Sequence, residues 1–245
     1  MAQEIRFCTA ADGVRIAYAT SGSGPPLVKA ANYLTHLEHD WNGPVWRHWL
    51  RDLGQHHTLI RYDERGCGLS DWDVTNYSID AWVQDMEAVV DALGLERFPL
   101  LGISQGASVC VAYAVKHPEK VTHLILFGGY ARGRFNRNLS AEEMLQAETM
   151  INVIRVGWGK ENPAFRQLFS TMLMPDGTQA QHDWLNELAR LSSSPENTAI
   201  MERAFYQIDV TDLARQVTTP TLVLHPRSDA SIPFEEGRLL AALIP

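Results

Sequence analysis

The stretch "FPLLGISQGASVCVAYAVKHPEK", residues 98–120, decides the fold. The apolar run at about 98–103 is typical of a buried strand, and the pattern after Ser104 predicts a helix to about 116. Gly102 and Gly106 flank the serine, and Gly-x-Ser-x-Gly between a strand and a helix matches a nucleophile elbow. The small neighbours allow the tight turn, which raises the Ser104 hydroxyl clear of the sheet and aims the helix N-terminus at the reacting oxygen. We therefore predict that Ser104 is a nucleophile.

The flanking sequence predicts a parallel sheet that is covered on both faces. The segment before residue 22 alternates polar and apolar residues around Asp12-Gly13, which indicates a hairpin. Apolar runs that predict buried strands, and periodic stretches that predict helices, alternate along the chain. The strands are at 26–31, 57–63, 98–103, 122–128 and 220–226, and the helices at 44–53 and 78–94. This alternation predicts an α/β fold with a mostly parallel, twisted sheet and helices on both faces.

Residues 131–212 depart from the alternation. Ser140 and Glu143 form a capping box pattern, and helical patterns follow near 141–156, 163–173, 179–191 and 195–207. We predict an all-helical lid at 131–212, inserted into a core formed by residues 1–130 and 213–245.

Composition excludes several kinds of partner. The chain has 245 residues and a formal net charge of -8. No block of Lys and Arg occurs, so we expect no nucleic-acid partner. No apolar run reaches the roughly 18 residues that a membrane span needs, and the N-terminus lacks a signal-peptide pattern. A cytoplasmic protein is the expectation.

The three cysteines give no sign of a bridge or a metal site. Cys8, Cys67 and Cys110 match neither a disulfide framework nor a zinc spacing.

A second motif gives the chain its resemblance to a known family. "RYDERGCGLSD", residues 61–71, is similar to the loop after strand 4 of α/β-hydrolases, usually Asp-x-Arg-Gly-x-Gly-x-Ser. With the elbow, the chain resembles the small, lid-bearing serine esterases and lactonases of that superfamily. Serine at position 104 argues against the dehalogenase and epoxide hydrolase branches, which use aspartate.

The resemblance implies the remaining site residues. Asp229 matches the acid that orients the catalytic histidine. The main-chain N–H groups of Tyr33 and Gln105 match the oxyanion hole. The implied activity is hydrolysis of small, partly apolar carboxylic esters through an acyl-enzyme, with no metal and no organic cofactor. Rival interpretations are a lactonase, a C–C bond hydrolase, and a non-catalytic ligand-binding protein that keeps the hydrolase shell.

The catalytic base is the largest departure from the family. Its histidine usually follows one further strand, whereas no histidine follows Asp229 here, and we expect the last strand and helix to be missing. His225, His36 and His39 are the candidate substitutes. The string "HLEHD" around the last two is an incomplete metal-ligand set. Without another strand, residues 221–225 would be an exposed apolar edge, which predicts either instability or pairing with another chain, as in a homodimer.

Overall fold

A computed structural model describes residues 2–245 and contains one seven-stranded sheet. The strands are β1 (Gln3–Thr9), β2 (Arg15–Gly22), β3 (Pro26–Lys29), β4 (Thr58–Tyr62), β5 (Phe98–Ile103), β6 (Val121–Phe127) and β7 (Thr221–Leu224). Their order in the sheet is β1-β2-β4-β3-β5-β6-β7. β1 pairs antiparallel with β2, and β2 with β4, whereas every later pair is parallel. The prediction of a mostly parallel sheet is confirmed.

Ten α-helices accompany the sheet in the described part of the chain. They are α1 (Leu37–Asn42), α2 (Arg47–Gly54), α3 (Ile79–Ala92), α4 (Gln105–Lys116), α5 (Ala141–Gly157), α6 (Pro163–Leu173), α7 (Gln179–Ser192), α8 (Pro195–Gln207), α9 (Thr211–Ala214) and α10 (Phe234–Leu243). A short 3-10 helix spans Arg134–Asn136. Apolar side chains of α3, α4 and α10 share one core with the sheet. On the opposite face Leu50 of α2 packs with Leu59 and Leu101, so helices cover both faces.

Local sequence signals determine several helix boundaries. The Ser78 side chain accepts a hydrogen bond from the N–H of Ala81 and caps α3, and Gly94 follows that helix with a positive φ of 60°. Glycine adopts this left-handed conformation without strain from a Cβ. The Ser140–Glu143 capping box at the start of α5 is also present, with both of its hydrogen bonds.

Helices α5 to α9 all lie between β6 and β7 along the chain. The segment before α5 pairs with the segment between α8 and α9, through Gly133 N–H to Ile208 O at 2.7 Å and Val210 N–H to Ala131 O at 2.8 Å. The corner between α7 and α8 is bonded to the loop after β4, where Gly68 N–H donates to Ser192 O at 2.7 Å. The helical segment is thus fastened to the core at its base and at this corner.

The sheet ends at β7, which pairs with β6 on one side. Leu222 and Leu224 on this strand are 53% and 43% exposed, as an edge strand predicts. Within residues 2–245, none of the helices has the length and apolar character needed to cross a bilayer.

Candidate active site

Ser104 occupies the sharp turn between β5 and α4. Its backbone has φ 53° and ψ −127°, a conformation that is costly for a residue with a side chain and persists only where the surrounding structure imposes it. The Ser104 N–H donates to Phe127 O at the end of β6, at 3.0 Å. Ser104 is also the N-cap residue of α4, yet its side chain makes no capping hydrogen bond, although serine readily does so. Ser104 is half-buried.

The two flanking glycines are required by close backbone contacts. A Cβ on Gly102 would lie 2.6 Å from the Cα of Ala107, and one on Gly106 would lie 2.4 Å from the carbonyl oxygen of Ala31. Both distances are shorter than real Cβ contacts. The two glycines are thus needed because they let α4 approach β5 and the loop after β3. The positive φ of the turn is that of Ser104 itself.

Asp229 lies in the loop after β7, beside the end of β6. Its Oδ1 accepts hydrogen bonds from the N–H groups of Ser231 at 2.9 Å and Ile232 at 2.8 Å. Its Oδ2 would be 3.4 Å from a Cβ built on Gly128, the residue after β6. β5 and β6 are neighbours, and the Ser104 N–H donates to the carbonyl oxygen of the last residue of β6. Asp229 and Ser104 therefore both lie at the carboxyl ends of the parallel strands. Its carboxylate has one oxygen fixed by the backbone and the other free of hydrogen bonds within residues 2–245.

The ring of His225 is directed toward α10. Its Nε2 lies 3.0 Å from Ile232 O and 3.7 Å from Asp229 Oδ2. Its Nδ1 has no hydrogen-bond partner among the described residues and faces Gly237 of α10, where a Cβ would be only 2.4 Å away. Phe234 packs edge-on against the ring. His225 is thus a packed core side chain.

His36 and His39 also have structural partners. His36 is the N-cap residue of α1, and His39 lies within this helix. The ring of His39 stacks on that of Trp184 in α7, with 5.4 Å between the ring centroids, and its Nε2 is 3.1 Å from Trp184 O. The pattern was too short to predict a helix of six residues. In the described chain, therefore, neither ring is paired with the Ser104 hydroxyl.

The main-chain N–H of Tyr33 points at the side chain of Gln105, whose Oε1 accepts its hydrogen bond at 3.3 Å. On its other side, the Tyr33 carbonyl accepts a hydrogen bond from Asn32 Nδ2 at 3.3 Å. The Tyr33 ring packs against two aromatic rings. Its centroid lies 5.9 Å from that of Trp158, which follows α5, and 5.5 Å from that of Phe205 in α8. The residue predicted to supply one oxyanion donor is thus bonded directly to the residue predicted to supply the other.

A buried acid that sequence reasoning missed lies next to this pair. Glu64, in the loop after β4, accepts a hydrogen bond from Gln105 Nε2 to its Oε2 at 3.0 Å. Burial, together with the nearby charge of Asp85, raises the pKa of the Glu64 carboxyl to about 8. The carboxyl group is therefore mostly neutral near pH 7. The only signal in the sequence was an acidic residue inside the 61–71 motif.

The rest of that motif supports the loop after β4. The buried Arg65 pairs with Asp85 of α3 at 2.7 Å and with Asp12 of the β1–β2 turn at 2.6 Å. Asp63 Oδ2 accepts hydrogen bonds from the N–H groups of Leu37 and Leu69. The motif's charged residues tie three segments together beneath the site.

A second buried charge cluster lies under the loop after β3. Lys29 Nζ donates to Asn32 Oδ1 at 2.5 Å, and Arg61 lies 3.5 Å from Asp40. Burial lowers the pKa of Lys29 and raises that of Asp40. Since Asn32 bonds to the Tyr33 carbonyl, this cluster also fixes the position of the Tyr33 peptide.

The large apolar side chains of the helical segment at 131–212 form mainly a core of their own. Ile151, Ile154, Trp158, Phe169 and Trp184 are buried together, whereas Met144 is 37% exposed. Tyr33 packs against this cluster, with its ring centroid 5.9 Å from that of Trp158.

Comparison with known proteins gives consistent matches. A family model described as "alpha/beta hydrolase fold" matches residues 37–245. The pyrrolizixenacetamide deacetylase of Xenorhabdus hominickii is 25% identical, over 94% of this chain and 83% of its own length. The 2-hydroxymuconate semialdehyde hydrolase of Pseudomonas sp. (strain CF600) is 24% identical, over 94% of this chain and 80% of its own. Among solved structures, the esterase RhEst1 from Rhodococcus sp. ECU1013 superposes with a TM-score of 0.77 at 27% identity, covering 98% of this chain and 87% of the esterase.

Proposed function

The chain belongs to the alpha/beta hydrolase fold family, and on that basis we propose that it hydrolyses small, partly apolar carboxylic esters through an acyl-enzyme at Ser104. The observation that carries the proposal is the conformation of Ser104 at the N-terminus of α4. Its backbone is held at φ 53°, and its hydroxyl makes no capping hydrogen bond. Strain of this kind collects at reactive residues, where it fixes the direction of the side chain.

In the proposed reaction the Ser104 Oγ attacks the ester carbonyl and a base removes its proton. The main-chain N–H groups of Gln105 and Tyr33 receive the negative charge that develops on the carbonyl oxygen. The C–O bond then breaks, the alcohol leaves with a proton from the base, and water attacks the acyl-serine to release the acid. Asp229 is proposed to orient the base and to balance its positive charge.

We propose none of the three candidate histidines as the base. His225, His36 and His39 have the structural contacts described above. We propose that the base stands between Ser104 and the free Oδ2 of Asp229. Imidazole in solution is a small base of the required chemistry, and should support the Ser104 reaction if that position is accessible.

The helical segment at 131–212 is proposed to be a lid over this site. Trp158 and Phe205 both contact the ring of Tyr33, so the lid places aromatic side chains above the loop that carries one oxyanion donor. This supports a preference for an apolar acyl or alcohol group in the substrate.

A C–C bond hydrolase is the second candidate, supported by the likeness to 2-hydroxymuconate semialdehyde hydrolase. The same serine and oxyanion donors would act on an aldehyde or ketone carbonyl instead of an ester. Consumption of 2-hydroxymuconate semialdehyde, but not of esters, would favour this candidate over the first.

The test is the turnover of p-nitrophenyl butyrate by this chain, with and without imidazole, beside Ser104→Ala and Asp229→Asn. Because positioned general bases contribute about 10²–10⁴-fold to rate, we expect imidazole to raise the rate of the parent chain by roughly tenfold or more, less than a fixed histidine would. Imidazole alone hydrolyses p-nitrophenyl esters, so the rate without protein is subtracted at each imidazole concentration. Ser104→Ala should then abolish the remaining gain, and Asp229→Asn should reduce it. Equal rates for the parent chain and Ser104→Ala, at every imidazole concentration, would reject ester hydrolysis at Ser104 and favour a non-catalytic protein.

A further inference from the structure

The segments that follow three neighbouring strands are joined by one chain of hydrogen bonds. β4, β3 and β5 are adjacent in the sheet; Glu64 and Tyr33 lie in the loops after β4 and β3, and Gln105 is the first residue of α4, after β5. The Gln105 amide spans the other two: its Nε2 donates to Glu64 Oε2 at 3.0 Å, and its Oε1 accepts from the Tyr33 N–H at 3.3 Å. The side chain therefore connects a buried carboxyl group to one of the proposed oxyanion donors.

The partners fix which way the Gln105 amide faces. The Tyr33 N–H can only donate, so the oxygen of the Gln105 amide must face it. The amide nitrogen then faces Glu64, whose oxygen accepts. Gln105 and Glu64 are only 2% and 1% exposed, so water cannot readily replace either bond. A buried amide that lost one partner would carry the cost of an unsatisfied polar group.

The contact also bears on the reaction itself. A main-chain N–H has one hydrogen, which in the resting structure is directed at Gln105 Oε1. An oxyanion is charged and accepts a shorter and stronger bond than a neutral amide does, so it shares this hydrogen with Gln105 Oε1 in a bifurcated bond as the charge develops. The Gln105 amide thus determines where the Tyr33 N–H points when the substrate arrives.

We propose that Glu64 and Gln105 are a positioning pair for the oxyanion hole: the Gln105 amide holds the Tyr33 N–H in place, and Glu64 holds the Gln105 amide. This inference rests on the proposed function, because it assigns the pair a role in stabilising the oxyanion. Neither side chain touches the reacting atoms. Their effect reaches the transition state through the direction of the Tyr33 N–H, so it appears in kcat more than in KM.

The test compares two variants of Glu64 in the imidazole-supported p-nitrophenyl butyrate assay. Glu64→Gln keeps an acceptor for Gln105 Nε2 and should retain kcat within about twofold near pH 7. Glu64→Met removes the acceptor at similar size, so the Gln105 amide loses its anchor. We expect about a tenfold loss of kcat, as for one buried hydrogen bond, and a KM within about twofold.

A double-variant cycle with Gln105→Met distinguishes a joint role from two separate effects. If the pair acts as one unit, Gln105→Met alone and Glu64→Met/Gln105→Met together should each lose about the same tenfold as Glu64→Met. Losses that multiply to about a hundredfold, or any of these variants at the parent kcat, would overturn the inference. Thermal unfolding of each variant establishes that it is folded.

A measurement that does not depend on activity completes the test. The NMR amide proton of Tyr33 should keep its chemical shift in Glu64→Gln and move upfield in Gln105→Met, because the acceptor is lost; an unchanged shift would contradict the contact. If Ser104→Ala turns over as fast as the parent chain, the proposed function and this inference both fail. If turnover depends on Ser104 while Glu64→Met is fully active, only the inference fails.

Discussion

Replacing Glu64 with glutamine should make the protein more resistant to alkaline unfolding. The carboxyl group is buried among Asp85, Asp63, Lys29 and the Gln105 amide, and burial is the main reason that its pKa rises from 4.5 to about 8. Between those two values the folded chain keeps a proton that the unfolded chain has released. Rising pH in this window therefore favours the unfolded state. Glutamine is close in size to glutamic acid and does not titrate.

The magnitude follows from the two pKa values. Each unit of difference corresponds to about 1.4 kcal/mol, and the loss with pH is almost linear until the folded group itself begins to ionise near pH 8. From pH 6 to pH 9 the Glu64 contribution to the free energy of unfolding should fall by about 2.5 kcal/mol. The other titrating groups are common to both chains and cancel when the variant is compared with the parent.

The assay is urea unfolding of both chains at pH 6 and pH 9, followed by the fluorescence of the seven tryptophans. We expect the advantage of Glu64→Gln over the parent to grow by about 2.5 kcal/mol between the two pH values. An advantage that stayed constant within about 0.5 kcal/mol, the usual scatter of such differences, would show that Glu64 ionises freely in the folded protein.

Two further substitutions test the packing beneath the site. Gly106→Ala places a Cβ 2.4 Å from the Ala31 carbonyl oxygen and should destabilise the fold by about 3 kcal/mol. The measurement is a lower Tm. An unchanged Tm would contradict the close approach of α4 to the loop after β3. Arg65→Met leaves Asp85 buried without its ion-pair partner and should cost about 3–5 kcal/mol in urea unfolding. The matched Arg6→Met, at an exposed pair with Glu4, should leave the unfolding transition unchanged, and equal effects of the two would contradict a buried pair.

The fold was readable from the sequence where local signals agree with one another. The apolar stripe at 78–94 and its caps predicted a helix that spans Ile79–Ala92, and the capping box gave the start of α5. The predicted helix near 195–207 matches α8. In these segments hydrophobic period, cap and breaker residues all indicate the same element. The six-residue α1 offered too few residues to show a period.

The contacts of the site could not be read in the same way. The hydrogen-bond chain from Glu64 through Gln105 to Tyr33 joins residues 41 and 72 positions apart. It exists because the strand order brings two loops and the start of α4 together. Nothing in the local pattern around His225 showed that its ring would be directed at Gly237 of α10. The roles of Ser104 and Asp229 remain predictions that rest on the family resemblance and the geometry of the turn.

The most direct test of the central claim is to identify the residue that becomes acylated. The parent chain is treated with p-nitrophenyl butyrate and imidazole, quenched in acid, digested and analysed by mass spectrometry. Because deacylation needs the base as well, removing imidazole just before the quench should preserve the adduct. We predict a butyryl group on the peptide that contains Ser104, and none on that peptide in Ser104→Ala. Turnover with the butyryl group on another residue, or with the Ser104 peptide unmodified, would contradict the account.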